Sequence, residues 1–295
     1  MPGPVLATLL LGAAMTLALF LAVSAYEYDH AQSEFKRRAD NRAGALRAGL
    51  DEAVARLSGV NRLFVVDPGL SRSEFAYFAA PILERAPYIR AIVFQRVVAD
   101  GERAAFEAER RREGAFSGIT ELRDGKLVSA LRRPAYRVVD FIEPQDSNRA
   151  ALGLDAASRA EQTQAAQRAC ASGETTMTGR YPLVLGGSDR EGVALLRPVY
   201  RTGPGLPGAA RCDRLLGHTV VLLSIGHFVH GALDGRGLLA PEGFNVSLYD
   251  GAVADESRLA HRIGAAPQAA DTRPLLLRMV LSRTPDTVAA PIRVA

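Results

Sequence analysis

Tryptophan is absent, lysine occurs only at Lys36 and Lys126, and cysteine only at Cys170 and Cys212. Each scarcity excludes something. The pI near 9.3 comes from arginines scattered among 32 acidic residues. They form no basic stripe with interleaved aromatics, so nucleic acid is not an expected partner. The two cysteines match no zinc or redox spacing. Cys170, near a helix end, reads as a small buried hydrophobe, and a pairing with Cys212 is left open. A glycine-rich phosphate loop with its lysine, a nucleophile elbow and a metal-ligand cluster are also missing. Acidic pairs occur, but none stands out as an acid/base couple. His227 and His230 lie one helical turn apart without a third ligand, so neither a metal nor a cofactor is expected. The chain does not read as an enzyme.

What is present begins with an apolar run. Val5 to Ala25 carries no charge, and with its flanks it would span roughly 30 Å as a helix, about the hydrocarbon thickness of a bilayer. Val23-Ser24-Ala25 resembles a signal-peptide cleavage site. The run is longer than a usual signal core and no Lys or Arg precedes it, which favours an uncleaved anchor over residues 1–26. Lys36, Arg37, Arg38 and Arg42 follow the span, and charge alone would keep the C-terminal part inside. Ala39, Ala43, Leu46, Leu50, Ala53, Leu57, Val60 and Phe64 then alternate steps of four and three, the seam of a coiled coil. Residues 27–66 are therefore expected to form a stalk helix that pairs with a second copy. The competing reading packs Leu46 to Phe64 on its own domain.

Beyond Asp67-Pro68-Gly69 the signals alternate. Ser71 with Glu74 caps a helix, Ile89 to Val98 is strand-like, Gly101 to Arg112 helical, and Asp124-Gly125 a hairpin turn. The run from Tyr136 alternates as a strand until Pro144 stops it. Ser158 with Glu161 predicts a capping box opening a helix that ends at Ser172, where Gly173 supplies the left-handed residue. Strands are expected over Thr175 to Leu185 and Gly192 to Tyr200, joined by a loop at Gly186, Gly187, Ser188 and Asp189. The loop after Tyr200 should lead to a second sheet, with a strand over Leu215 to Ser224, a helix over His227 to Leu233 and a strand over Phe244 to Tyr249. The fold class is α/β (α+β): a transmembrane helix, a long stalk helix, then two tandem PAS-like units, membrane-distal over 67–212 and membrane-proximal over 213–255, with a tail over 256–295.

The motifs EPQDSNRAALGLD, an Ala-rich helix ending in Gly, a Thr-containing strand and a strand closing on RPVY resemble the CHASE family, an extracytoplasmic sensory domain. Upstream, SRSEFAYFAAPILERAPYIRAIVFQRVVADGERAAFEAERRREG extends the resemblance, which covers Ser71 to Tyr200 and more loosely reaches about residue 250. Three positions depart from it: Gln95 where proline often precedes the arginine, Arg137 where proline is common, and Gln162 where a basic residue is frequent. The resemblance implies that Asp155 accepts hydrogen bonds from ligand N–H groups, with the Met177 backbone and the Thr178 hydroxyl beside it. Tyr136, Leu185 and Leu196 would wall the pocket. The bland alternative for Asp155 is a turn residue that starts the next helix, and for Thr178 an ordinary strand threonine. Arg96 and Arg103 match family positions and read as structural.

With the resemblance set above the charge rule for orientation, the expected protein is a single-span sensor of the inner membrane with a periplasmic domain. Its expected partners are a small-molecule ligand, the membrane and a second copy through the Ala39–Phe64 helix. No second apolar span follows, so the chain is expected to be either a truncated receptor or a sensor whose output lies elsewhere. A non-catalytic envelope protein that binds a protein partner is the alternative, favoured if the pocket is filled by its own side chains. An enzyme would need an open cleft with converging ionisable groups.

Overall fold

The computed structural model describes residues 3–116, 118–183, 191–201, 212–239, 245–251, 254–265, 273–281 and 288–292. Anchor and stalk are one uninterrupted helix, α1 (Gly3–Val66), which Asp67 ends as predicted. The chain continues through α2 (Arg72–Arg85), β1 (Ile89–Ala99), α3 (Arg103–Arg112), β2 (Thr120–Arg123), β3 (Lys126–Ser129), β4 (Ala135–Glu143) and α4 (Gln145–Asn148). It then forms α5 (Ala160–Ser172), β5 (Thr176–Met177), β6 (Tyr181–Pro182), β7 (Glu191–Tyr200), β8 (Leu215–Ser224) and α6 (Ile225–Asp234). The last elements are β9 (Val246–Tyr249), β10 (Leu259–Ile263) and α7 (Leu275–Leu281). The Ser71–Glu74 capping box forms in both directions, and Asp124 and Gly125 adopt the positive φ that a tight hairpin turn requires.

The main sheet is antiparallel, in the order β4-β1-β8-β7-β5, with β6 also on β7. This corrects the expected division at residue 212. The strand Leu215–Ser224 does not open a second sheet but lies at the centre of the first, between β1 and β7. The physical reason is in its sequence: LLGHTVVLLS is apolar on both faces and so needs a neighbour on each edge and a cover on each side. Gly217 makes the fit possible, since a Cβ there would run into the Gln95 carbonyl. β9 and β10 form a separate two-stranded sheet.

The stalk expectation is also corrected. Leu46, Leu50, Ala53, Leu57, Val60 and Phe64 are buried in the molecule's own core, so that seam is not left for a partner helix. Phe64 stacks on Phe94 at 3.9 Å between ring centroids, with Phe75 and Phe141 against its edges. Burying each large apolar side chain of the seam contributes about 1.5–3 kcal/mol, and here the domain's own core supplies that burial. α6 packs on the same helix so closely that a Cβ at Gly49 would lie 3.2 Å from Ala232.

Two local expectations fail for identifiable reasons. Ser158 closes a single 3-10 turn, donates its hydroxyl to the Asp155 carbonyl at 2.7 Å, and therefore cannot cap α5, which starts at Ala160 behind Arg159. The strand expected from Thr175 is broken because the Thr178 hydroxyl, not a main-chain carbonyl, accepts the Ala194 N–H at 2.9 Å. Leu185, the loop Gly186–Asp189 and Phe244 lie outside the described residues. Cys170 and Cys212 are joined in a disulfide with Cα atoms 5.6 Å apart, tying the end of α5 to the start of β8.

Candidate functional site

Because side chains alternate along each strand, the sheet has two unlike faces. Val221 and Leu223 of β8 face α1, together with Ile92, Phe94, Phe141 and Leu195. Val220 and Leu222 point the other way, to a layer built from Ala151–Leu154 and from Ala165 and Ala166 of α5. A cavity of about 40 Å³ lies within this second layer. Val93, Val139, Ile142, Leu154, Leu183 and Leu222 wall it, Gln95, Gln162 and Tyr181 are its polar members, and half-buried Arg159 adds a guanidinium. A wider groove of about 360 Å³ beside α3 is open to solvent and mixes Arg96, Arg112 and Arg201 with Glu102 and Glu109. Ligand sites bury most of a ligand among apolar walls with a few fixed polar groups. The smaller cavity has that character and the groove does not.

The polar members form a chain. Gln95 Nε2 donates to Gln162 Oε1 at 2.8 Å, and Gln162 Nε2 donates to the Tyr181 hydroxyl at 2.9 Å. Gln95 Oε1 is buried without a partner. Burial pushes the Tyr181 hydroxyl well above the usual phenol range, so it remains protonated. His218 lies opposite Gln95 in the β1/β8 register. Burial, reinforced by the charge of Arg137, pushes it down to about 3, which keeps it neutral. Arg137, itself lowered to about 10 by burial, donates to the Ala156 carbonyl at 3.0 Å.

The predicted ligand contacts are placed elsewhere. Asp155 is completely buried, and its Oδ1 accepts from the Arg137 and Ala157 amides at 2.9 and 3.0 Å. Its Oδ2 lies 3.0 Å from the Arg133 guanidinium. It thus caps a turn, and its neighbours Leu154 and Ala156 are what face the cavity. Tyr136 belongs to a third cluster with Phe106, where its hydroxyl donates to Asp100 at 2.9 Å and accepts from Arg103 at 3.1 Å. Met177 packs toward α1, Thr178 bridges to Ala194, and Leu196 shares the cavity layer without lining the cavity. Arg96 bonds the buried Asp140 at 2.6 Å, joined there by Arg72 and Arg110, and Arg103 serves Tyr136 and the Ala130 carbonyl. Both arginines hold elements together.

Gln95, Gln162 and Tyr181 were missed because each is an ordinary residue alone. The signal that marks the first two is their departure from the family pattern, which they share with Arg137. All three departures converge behind α5.

The architecture is that of a mixed α/β domain on a long N-terminal helix, of which the described residues hold one that is long and apolar enough to cross a membrane. The family model of the CHASE domain matches residues 68–261, and the chain belongs to that family of extracellular, non-catalytic sensor domains. Among solved structures, the ligand-binding domain of the Pseudomonas aeruginosa PAO1 amino-acid chemoreceptor PctC, in complex with GABA, is 12% identical. That similarity covers 74% of this chain and 72% of that one, with a TM-score of 0.40. A methyl-accepting chemotaxis protein X is 16% identical over 77% and 71%, with a TM-score of 0.37. No curated protein matches the chain significantly.

Proposed function

We propose that the protein binds a small molecule in the cavity behind α5 and passes its occupancy through the sheet to α1 and the membrane, with the sensor domain in the periplasm. The observation that carries this reading is that the sheet is a single layer between cavity and helix. Leu222 walls the cavity, while Val221 and Leu223 on either side of it pack in the core that holds α1. A side chain displaced by ligand on one face moves the backbone that α1 rests on. A ligand does this only by binding one packing of the sheet better than another. Dimerisation moves from the predicted seam to the outward face of α1, where Gly44, Ala48, Ala55 and Gly59 are exposed and small.

One observation favours the alternative of a partner-binding envelope protein: about 40 Å³ is little more than the share of one water in liquid. One experiment separates the two. The full chain carrying Ala48→Cys is purified in detergent, oxidised to test for a cross-linked dimer, and melted against a small-molecule panel that includes adenine derivatives. A compound at about a hundredfold its dissociation constant should add about 2.7 kcal/mol. A shift in melting temperature supports the sensor, and a folded, cross-linked dimer that shifts with nothing supports the alternative.

A further inference from the structure

The Tyr181–Gln162–Gln95 chain has a property that says which chemistry the cavity accepts. As it stands, Gln95 Oε1 is an acceptor without a donor, and among the described residues nothing accepts the Tyr181 hydroxyl proton. If both amides turn over, Tyr181 donates to Gln162, Gln162 donates to Gln95, and Gln95 now offers an unpaired N–H. An amide presents a donor and an acceptor on the same carbon, so either polarity keeps the internal bonds. In either polarity Gln95, which lines the cavity, carries an unmet group, an acceptor as it stands and an N–H when turned, and all members of the chain are neutral. A buried unmet polar group is a standing cost that a complementary ligand removes.

Charge decides the rest. Arg159 lines the cavity, so a cationic ligand meets a guanidinium group and no carboxylate among the lining residues. A carboxylate would lose its hydration among Val93, Val139, Ile142 and Leu222, and the guanidinium that lines the cavity, Arg159, is half-exposed, screened by solvent and already donates to the Pro182 carbonyl at 3.1 Å. Burying an ion without close pairing costs several kcal/mol. We propose that the ligand is an uncharged, mostly apolar molecule recognised through an amide-like or heteroaromatic edge that pairs an N–H with an acceptor, with Gln95 as its direct contact. This inference rests on reading the cavity as the ligand site, and it replaces Asp155 as the group that selects the ligand.

The test uses three probes of one shape and different charge, each larger than the closed cavity, so that binding requires the layer behind α5 to open around it. Benzamide, benzoate and benzylammonium are titrated calorimetrically into the full chain in detergent, in wild type, Gln95→Met and Tyr181→Phe. The expected result is benzamide binding at least about tenfold more tightly than either ion, the worth of one well-made neutral hydrogen bond, with that preference lost in Gln95→Met. Tyr181→Phe removes one oxygen and keeps the ring, so it reports on the chain if Gln95→Met fails to fold. It is expected to weaken benzamide and leave benzoate unchanged. Binding of either ion as tightly as benzamide, or a benzamide preference that survives both substitutions, overturns the assignment of chemistry while leaving the cavity as a site. Binding of none of the three overturns both.

Discussion

The two faces of the central sheet are built to different rules. The face toward α1 holds aromatic and branched side chains, the buried Asn61 of α1 is matched by the Pro198 carbonyl at 3.1 Å and the Thr219 hydroxyl at 3.0 Å, and the Tyr88 hydroxyl in that core is left without a partner. The face toward α5 buries Gln95, Gln162, His218 and Arg137 among its apolar residues and leaves Gln95 Oε1 and Arg137 Nε without partners. A domain needing only stability would satisfy or omit such groups, because each unmet one costs about 1–3 kcal/mol. The first face anchors the helix, and the second tolerates a cost of the kind that accompanies function.

Substitutions on the two faces should therefore differ in size and in kind. The largest effect is expected at Phe64, where alanine removes the ring at the centre of the Phe75, Phe94 and Phe141 cluster. Phe64→Ala should lower unfolding stability by about 3–5 kcal/mol in denaturant titration, and a loss below about 1 kcal/mol would mean that α1 is not seated on the sheet. Next comes Asp155→Ala, which strips the acceptor from two amides and the counter-charge from Arg133, with an expected loss of about 3 kcal/mol. A fully stable Asp155→Ala protein would point to a carboxylate held for a ligand and return Asp155 to the site.

The smallest expected effect is a pH dependence. His218 has a folded pKa of about 3 against about 6.5 when unfolded, so the unfolded chain binds the extra proton between those values. Its neutral burial contributes fully above about pH 6.5, and the contribution falls as pH drops toward 3. The loss is about 2 kcal/mol at pH 5. His218→Leu should flatten that part of the stability profile between pH 7 and 5. An unchanged slope would show that His218 is not buried neutral, and the contrast between the faces would weaken.

Much of the fold was legible from local chemistry. The Ser71 capping box, the Asp124-Gly125 turn, the left-handed Gly173 and the end of β4 before Pro144 all depend on neighbouring residues, and all are found. The site was less legible. Asp155 stood out as a carboxylate in a family motif, yet its environment turned it inward to cap a turn. The cavity's polar chain joins residues 95, 162 and 181, which no sequence window contains.

The apolar N-terminal run, the long helix with one apolar stripe, the mixed α/β class and the family were all readable from the sequence, because charge, periodicity and turn residues act over a few positions. Only the tertiary structure decided that the stripe packs inward rather than on a second copy, that Leu215–Ser224 is the central strand, and that Cys170 meets Cys212. Those outcomes depend on which surfaces meet across the sheet. An apolar seam on a helix specifies burial but not the surface that buries it.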